Sequence, residues 1–117
     1  MTDARKMQDV TFRKPVSLRE ISAGLGQLQA DANDAVYIKG ISDDSRCIRP
    51  GDALICLPRS ERYAQEYACM AGEKEAAAII SVGITINVNL PVLYVDTMQQ
   101  AGLLLRRMFE TEKTSSR

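Results

Sequence analysis

The apolar positions of this chain fall into short blocks whose spacing switches between helical and strand periods. Leu18, Ile21, Leu25 and Leu28 recur at helical spacing behind Ser17 and Glu20, a Ser-x-x-Glu capping box, with Val16 and Ile21 placed to staple the helix start. Gly24 and Gly26 weaken the second half, so this helix is predicted to end near Leu28. A polar loop over 29–35 leads to a strand from Val36 to Ile41. Pro50-Gly51 marks a turn, and Ala53 to Leu57 is apolar throughout, as in a strand covered on both faces. Pro58 stops it. A helix is predicted from about Glu61 to Gly72, with Ser60 as its N-cap and Gly72 as its stop. Tyr63, Tyr67, Met70 and Ala71 share one side of it and read as its core stripe.

Ala76 to Ser81 is another buried strand. Ile84, Ile86, Val88 and Leu90 alternate with Thr85, Asn87 and Asn89, the period of a half-exposed edge strand. Val92 to Val95 reads as a further strand. Asp96 with Gln99 offers a cap for a last helix, whose stripe is Met98, Ala101, Leu105, Met108 and Phe109, widened by Leu103 and Leu104. Strands alternating with helices predict an α/β fold: a mixed β-sheet of about five short strands with helices packed on it. Residues 1–14 read as a flexible leader, 15–110 as the domain and 111–117 as a flexible tail.

Composition narrows the function. The 117 residues are 45% hydrophobic, enough for one domain with a real core. Fifteen basic residues balance fifteen acidic ones, so no general field draws nucleic acid or an anionic membrane. No secretory signal and no apolar run of membrane-spanning length is present. Cys47, Cys56 and Cys69 form no Cys-x-x-Cys pair and there is no histidine, so neither a metal site nor a cofactor is expected. Reduced thiols packed as small hydrophobes suit a cytoplasmic protein.

Chemistry concentrates between Gly40 and Arg62. A strand runs into Asp43-Asp44-Ser45-Arg46, then Pro50-Gly51-Asp52, then the apolar strand, and Arg59-Ser60-Glu61-Arg62 follows it. The first group is either a ligand site or a structural turn in which Asp and Ser bond backbone amides and Arg46 pairs with Asp44 or Asp52. The adjacent carboxylates Asp43 and Asp44 lack a third ligand for a metal. The second group is either a solvated loop or an anion-contacting one. Tyr63, Tyr67 and Met70 are core or, alternatively, a base-stacking platform.

The Asp44-Ser45-Arg46 turn, the Pro50-Gly51-Asp52 turn, the Ser-Leu-Arg-Glu-Ile helix start and the Leu90-to-Asp96 ending occur in the order and near-spacing of the Mur ligases. The chain resembles their amino-terminal domain, of the MurE and MurF types, over about Ser17 to Phe109. That resemblance implies the corresponding fold and binding of the UDP moiety of a UDP-linked muramoyl-peptide (UDP-MurNAc-peptide) or another UDP-sugar, in peptidoglycan precursor synthesis. Carried over by position, it places Ser45 on the nucleotide, the Asp43 backbone at the uracil, and Ser60, Glu61 and Arg62 in the second nucleotide-contacting loop. Arg46 and Arg59 are the candidates for phosphate contacts. This chain departs from the family at Arg59, where a glycine is usual, at Tyr63-Ala64, where an Asp-Gly pair is usual, and at Glu75-Ala76, where Gly-Ala is usual.

Nothing matches Gly-x-x-x-x-Gly-Lys-Ser/Thr, and the chain ends at Arg117, where such a ligase would begin its ATP-binding domain. No ligase activity is expected of this chain alone. The alternative function is a protein-interaction or regulatory module that keeps the fold without the nucleotide. Its partner or homodimer surface would be the edge near Ile84–Leu90 or the last helix.

Overall fold

The computed structural model describes residues 10–22, 26–28 and 35–115. Six strands form one mixed sheet: β1 (Val10–Ser17), β2 (Gln27–Leu28), β3 (Tyr37–Ser42), β4 (Asp52–Cys56), β5 (Ala78–Val82) and β6 (Val92–Val95). The spatial order is β1-β3-β4-β5-β6-β2. The four central strands run parallel, and β1 and β2 close the two edges antiparallel. Three α-helices, α1 (Leu18–Ser22), α2 (Ala64–Glu73) and α3 (Met98–Ser115), complete the α/β architecture. Short 3-10 turns occupy Ser45–Cys47 after β3 and Pro58–Tyr63 after β4.

Strand alternation sorts the core into two layers. On one face Ala53, Ile55, Ala78, Ile80, Leu93 and Val95 pack against Ile21 of α1 and Ala101, Leu104 and Met108 of α3. On the other, Leu54, Cys56, Ile79 and Val92 meet Ala64, Ala68 and Ala71 of α2. Each fully buried isoleucine stabilises this packing by roughly 1.5–3 kcal/mol relative to exposure. The central strands are buried on both sides, which is why β4 and β5 read as nearly continuous apolar runs, with Asp52 and Ser81 as the polar members.

Several expectations are corrected. Residues 10–14, read as leader, begin β1 and pair with β3; residues 1–9 lie outside the described part. Residues 111–115, read as tail, continue α3. The first helix is five residues long, and Leu28 belongs to β2. Between them Gly26 has φ +75°, and a Cβ there would stand 2.7 Å from the Tyr94 carbonyl oxygen. Only glycine allows the chain to lie so close to β6. The α3 cap is shifted by one residue: the Thr97 hydroxyl accepts from the Gln100 N–H (3.1 Å), and Gln100 accepts from the Asp96 N–H (2.8 Å). Its buried stripe is Ala101, Leu104 and Met108, with Met98 and Leu103 exposed.

Segment 84–90 is not a strand. Its burial alternates as expected, with Ile84 and Ile86 in the α2-side core. Its backbone is held by side chains instead of a ladder. The Gln65 amide accepts from the Asn87 N–H (2.8 Å) and donates to the Asn87 carbonyl (2.7 Å), imitating a strand partner. The Tyr94 hydroxyl serves Ile86 in the same double way, and Ser81 Oγ donates to the Ile84 carbonyl.

Candidate functional site

The carboxyl ends of adjacent parallel strands β3 and β4 lead into the two loops singled out in the sequence, which is where open α/β sheets receive ligands. The first loop is tightly organised. Asp44 caps the 3-10 turn by accepting from the Arg46 N–H (2.9 Å) and holds the Arg46 guanidinium through two bonds, Nε to Oδ1 (3.0 Å) and Nη2 to Oδ2 (2.9 Å). The hydrogen bond and charge of Asp44 raise the Arg46 pKa, with smaller contributions from Cys47 and Tyr67. Arg46 is nevertheless 81% exposed, so this pair is a surface fork, worth little to stability alone. Ser42 Oγ accepts from the Asp44 N–H (3.1 Å). From α2, Lys74 Nζ donates to the carbonyls of Ser45 (3.2 Å) and Arg46 (2.9 Å), fastening the turn to the helix end.

Ser45 lies inside this turn. It is 4% exposed, and its Oγ has Met70 Sδ as a partner at 3.8 Å. A thioether is a weak acceptor, so the buried hydroxyl keeps most of its hydrogen-bonding capacity. Asp43 is half-buried beside it. Among the described residues no three His, Cys, Asp or Glu side chains converge on a metal position.

The second loop departs from expectation. Arg59, Ser60, Glu61 and Arg62 belong to a 3-10 turn, and the α-helix starts only at Ala64. Its N-cap is Tyr63, which makes no side-chain capping bond, so Ser60 does not begin the helix. The side chains of Arg59, Ser60 and Glu61 lie outside the described residues. Arg62 is exposed and places its guanidinium carbon 5.6 Å from the centre of the Tyr63 ring.

The helix stripe is also rotated by one position. Ala64, Ala68 and Ala71 face the sheet, because small side chains let the helix approach closely. Tyr63, Tyr67, Met70 and Lys74 form the neighbouring stripe, whose Met70 and Lys74 reach the Asp-Ser-Arg turn. Tyr63 is 46% exposed, and its ring lies 6.0 Å from that of Tyr67 at an interplanar angle of 33°. The two loops are thereby connected along one flank of α2. Lys74, which fastens the turn to the helix, carried no sequence signal, since the turn it touches is more than twenty residues away. A separate open groove of about 370 Å³ lies between α2 and residues 88–90, lined by Cys69, Glu73 and Leu90 among others. It contains none of the residues predicted to bind the nucleotide, though Val88, Asn89 and Leu90 belong to the expected partner surface.

Two turns supply the strands that carry these loops. Arg49-Pro50-Gly51-Asp52 closes with Asp52 N–H to the Arg49 carbonyl (3.0 Å) and Arg49 N–H to Asp52 Oδ2 (3.0 Å). Gly51 at φ +90° takes the left-handed position of a type II turn. α2 ends in a Schellman arrangement, with Ala76 N–H to the Ala71 carbonyl and Glu75 N–H to the Gly72 carbonyl, both 3.0 Å. The left-handed residue there is Glu75, φ 64°, not Gly72.

No protein-family model matches the chain. Its curated relatives include the UDP-N-acetylmuramoyl-L-alanyl-D-glutamate–2,6-diaminopimelate ligase of Listeria monocytogenes serotype 4b, 28% identical over 101 residues, which is 86% of this chain and 20% of the ligase. The Listeria innocua enzyme of the same name is also 28% identical, over the same shares. Among solved structures, MurF from Acinetobacter baumannii superposes with a TM-score of 0.65 at 26% identity, covering 80% of this chain and 21% of that one. A second crystal structure of that MurF has a TM-score of 0.69 at 24% identity, covering 87% and 22%, and supports the fold. The mixed sheet with its three helices is therefore a Mur ligase-like α/β fold. The chain is homologous to Mur ligases of the MurE and MurF types and spans about one fifth of the length of those it matches.

Proposed function

We propose that this chain is a non-catalytic recognition domain that binds the UDP portion of a UDP-MurNAc-peptide or related UDP-sugar, in peptidoglycan precursor synthesis in the cytoplasm. The observation that carries this reading is Ser45. The resemblance implies a nucleotide contact there, and among the described residues the buried Ser45 hydroxyl is partnered by the weakly accepting Met70 thioether of α2. In this reading Ser45 Oγ and the Asp43 backbone take the nucleotide, and the 59–62 turn closes over it. Arg59 and Arg62 supply charge to the diphosphate. Arg46 contributes only if its fork to Asp44 opens. Among the described residues no helix is long and apolar enough to cross a membrane.

The test is isothermal titration of UDP-N-acetylmuramoyl-dipeptide, with UDP as control. Micromolar or tighter binding is expected. Ser45→Ala should weaken it by about 1 kcal/mol, the scale of one lost hydrogen bond. No heat and no thermal stabilisation at millimolar ligand would refute the reading. A second reading, a protein-interaction module, draws on Met98 (54% exposed) and Leu103 (48% exposed) on α3. The other surface expected for it, near Ile84–Leu90, is narrowed to residues 88–90, because Ile84 and Ile86 are buried. A strictly monomeric chain with no partner at that helix would count against it.

A further inference from the structure

Tyr63 occupies a position that the fold does not reward. It stands at the N-cap of α2, where Ser, Thr, Asp or Asn would bond the first-turn amides, and it makes no such bond. Its ring is not used as core either, being 46% exposed. What surrounds it is ordered for another purpose. Arg62 lies over the ring on one side, and Tyr67 continues the aromatic surface one helical turn further on. Met70, further along the same flank of the helix, touches Ser45. An exposed ring next to an exposed guanidinium presents a π-face together with positive charge. That combination matches a ligand with a planar base at one end and phosphate at the other.

We propose that Tyr63 is the stacking platform for the nucleobase of the bound nucleotide sugar, with Tyr67 extending the platform toward Ser45 and Arg62 facing the phosphates. The inference rests on the UDP-binding reading above and adds a residue to it. It also accounts for the departure at Tyr63-Ala64. A loop that approaches its ligand through glycine backbone is replaced by one that covers the base with a ring.

The experiment is isothermal titration of UDP into the wild-type chain, Tyr63→Ala and Tyr63→Phe, with circular-dichroism melting of each. Because the chain has four tyrosines and no tryptophan, quenching of tyrosine emission gives a second readout. The expected result is roughly tenfold weaker UDP binding in Tyr63→Ala, the scale of a lost base stack, and near wild-type binding in Tyr63→Phe. Melting curves should superpose, since the ring is half outside the fold. Unchanged affinity in Tyr63→Ala would overturn the platform while leaving UDP binding intact. Equal losses in the Ala and Phe variants would also overturn it, by assigning the effect to the hydroxyl. Absence of UDP binding by the wild-type chain would remove the platform and the underlying reading together. Should Tyr63→Ala melt early, Tyr63→Leu retains apolar bulk without a π-face, and its unchanged affinity would equally overturn the proposal.

Discussion

Helix α2 carries two stripes one residue apart, and they have opposite chemistry. Ala64, Ala68 and Ala71 are wholly buried against β4 and β5, and at these positions the helix contributes nothing larger than methyl groups to that contact. Tyr63, Tyr67, Met70 and Lys74 lie along the flank, the two tyrosines against each other and the other two on the Asp-Ser-Arg turn. The first stripe sets where the helix lies. The second uses that position to join two loops that are distant in sequence. A helix can thus serve fold and site separately, provided that the buried side is made of the smallest residues.

The largest effect should come from enlarging the buried stripe. Ala71→Leu is expected to destabilise the chain by about 1–3 kcal/mol through overpacking, measured by urea denaturation. Any ligand binding should fall in proportion to the unfolded fraction and no further. The core beneath this stripe gives the next test. Burial pushes the Cys56 thiol up to about 11 from its ordinary 9.0. The folded chain then holds this proton more tightly than the unfolded one. Its contribution to stability is complete below pH 9 and is lost as pH rises toward 11, about 1 kcal/mol of it by pH 10. Cys56→Ala should flatten that part of the alkaline profile. Exposed Cys69 should react with a thiol reagent in the native state, while Cys56 should react only on unfolding.

Breaking the flank should cost less. Lys74→Met removes the donor to the Ser45 and Arg46 carbonyls, for a loss of about 1 kcal/mol. Hydrogen exchange should quicken at Arg46 and Cys47 before it does in the strands. The smallest effect has the opposite sign. Glu75→Gly relieves a left-handed backbone that costs a side-chain-bearing residue about 1–2 kcal/mol, offset in part by the greater freedom of glycine when unfolded. A net gain of about 0.5 kcal/mol in thermal unfolding is expected, with ligand affinity unchanged.

The central strands were legible because burial on both faces leaves an unmistakable apolar run in β4 and β5. The edge strand β1 was not, because Arg13, Lys14 and Pro15 are the residues that an edge tolerates and a loop prefers. The α2 stripe was misplaced by one position because tyrosine and methionine weigh more in a periodicity than alanine. Close approach to the sheet selects alanine all the same. Segment 84–90 showed its burial correctly, but its bonding depends on Gln65 and Tyr94, which no local pattern reveals. In the site, spacing offered Asp44 or Asp52 as the partner of Arg46, and the structure selects Asp44. The fastening of that turn by Lys74 depends on tertiary contact alone.

The side-chain bonding of residues 84–90 has a consequence for how this region can change in length. A strand in a ladder is counted residue by residue, and one insertion turns every later side chain to the wrong face. Residues 84–90 are held at separate points, at Ile84, Ile86 and Asn87, by side chains that belong to other elements. Beyond Asn87 the chain can gain or lose a residue before Pro91 without sliding β6 against β5. The rim of the open groove can therefore be reshaped while the sheet below it stays in register.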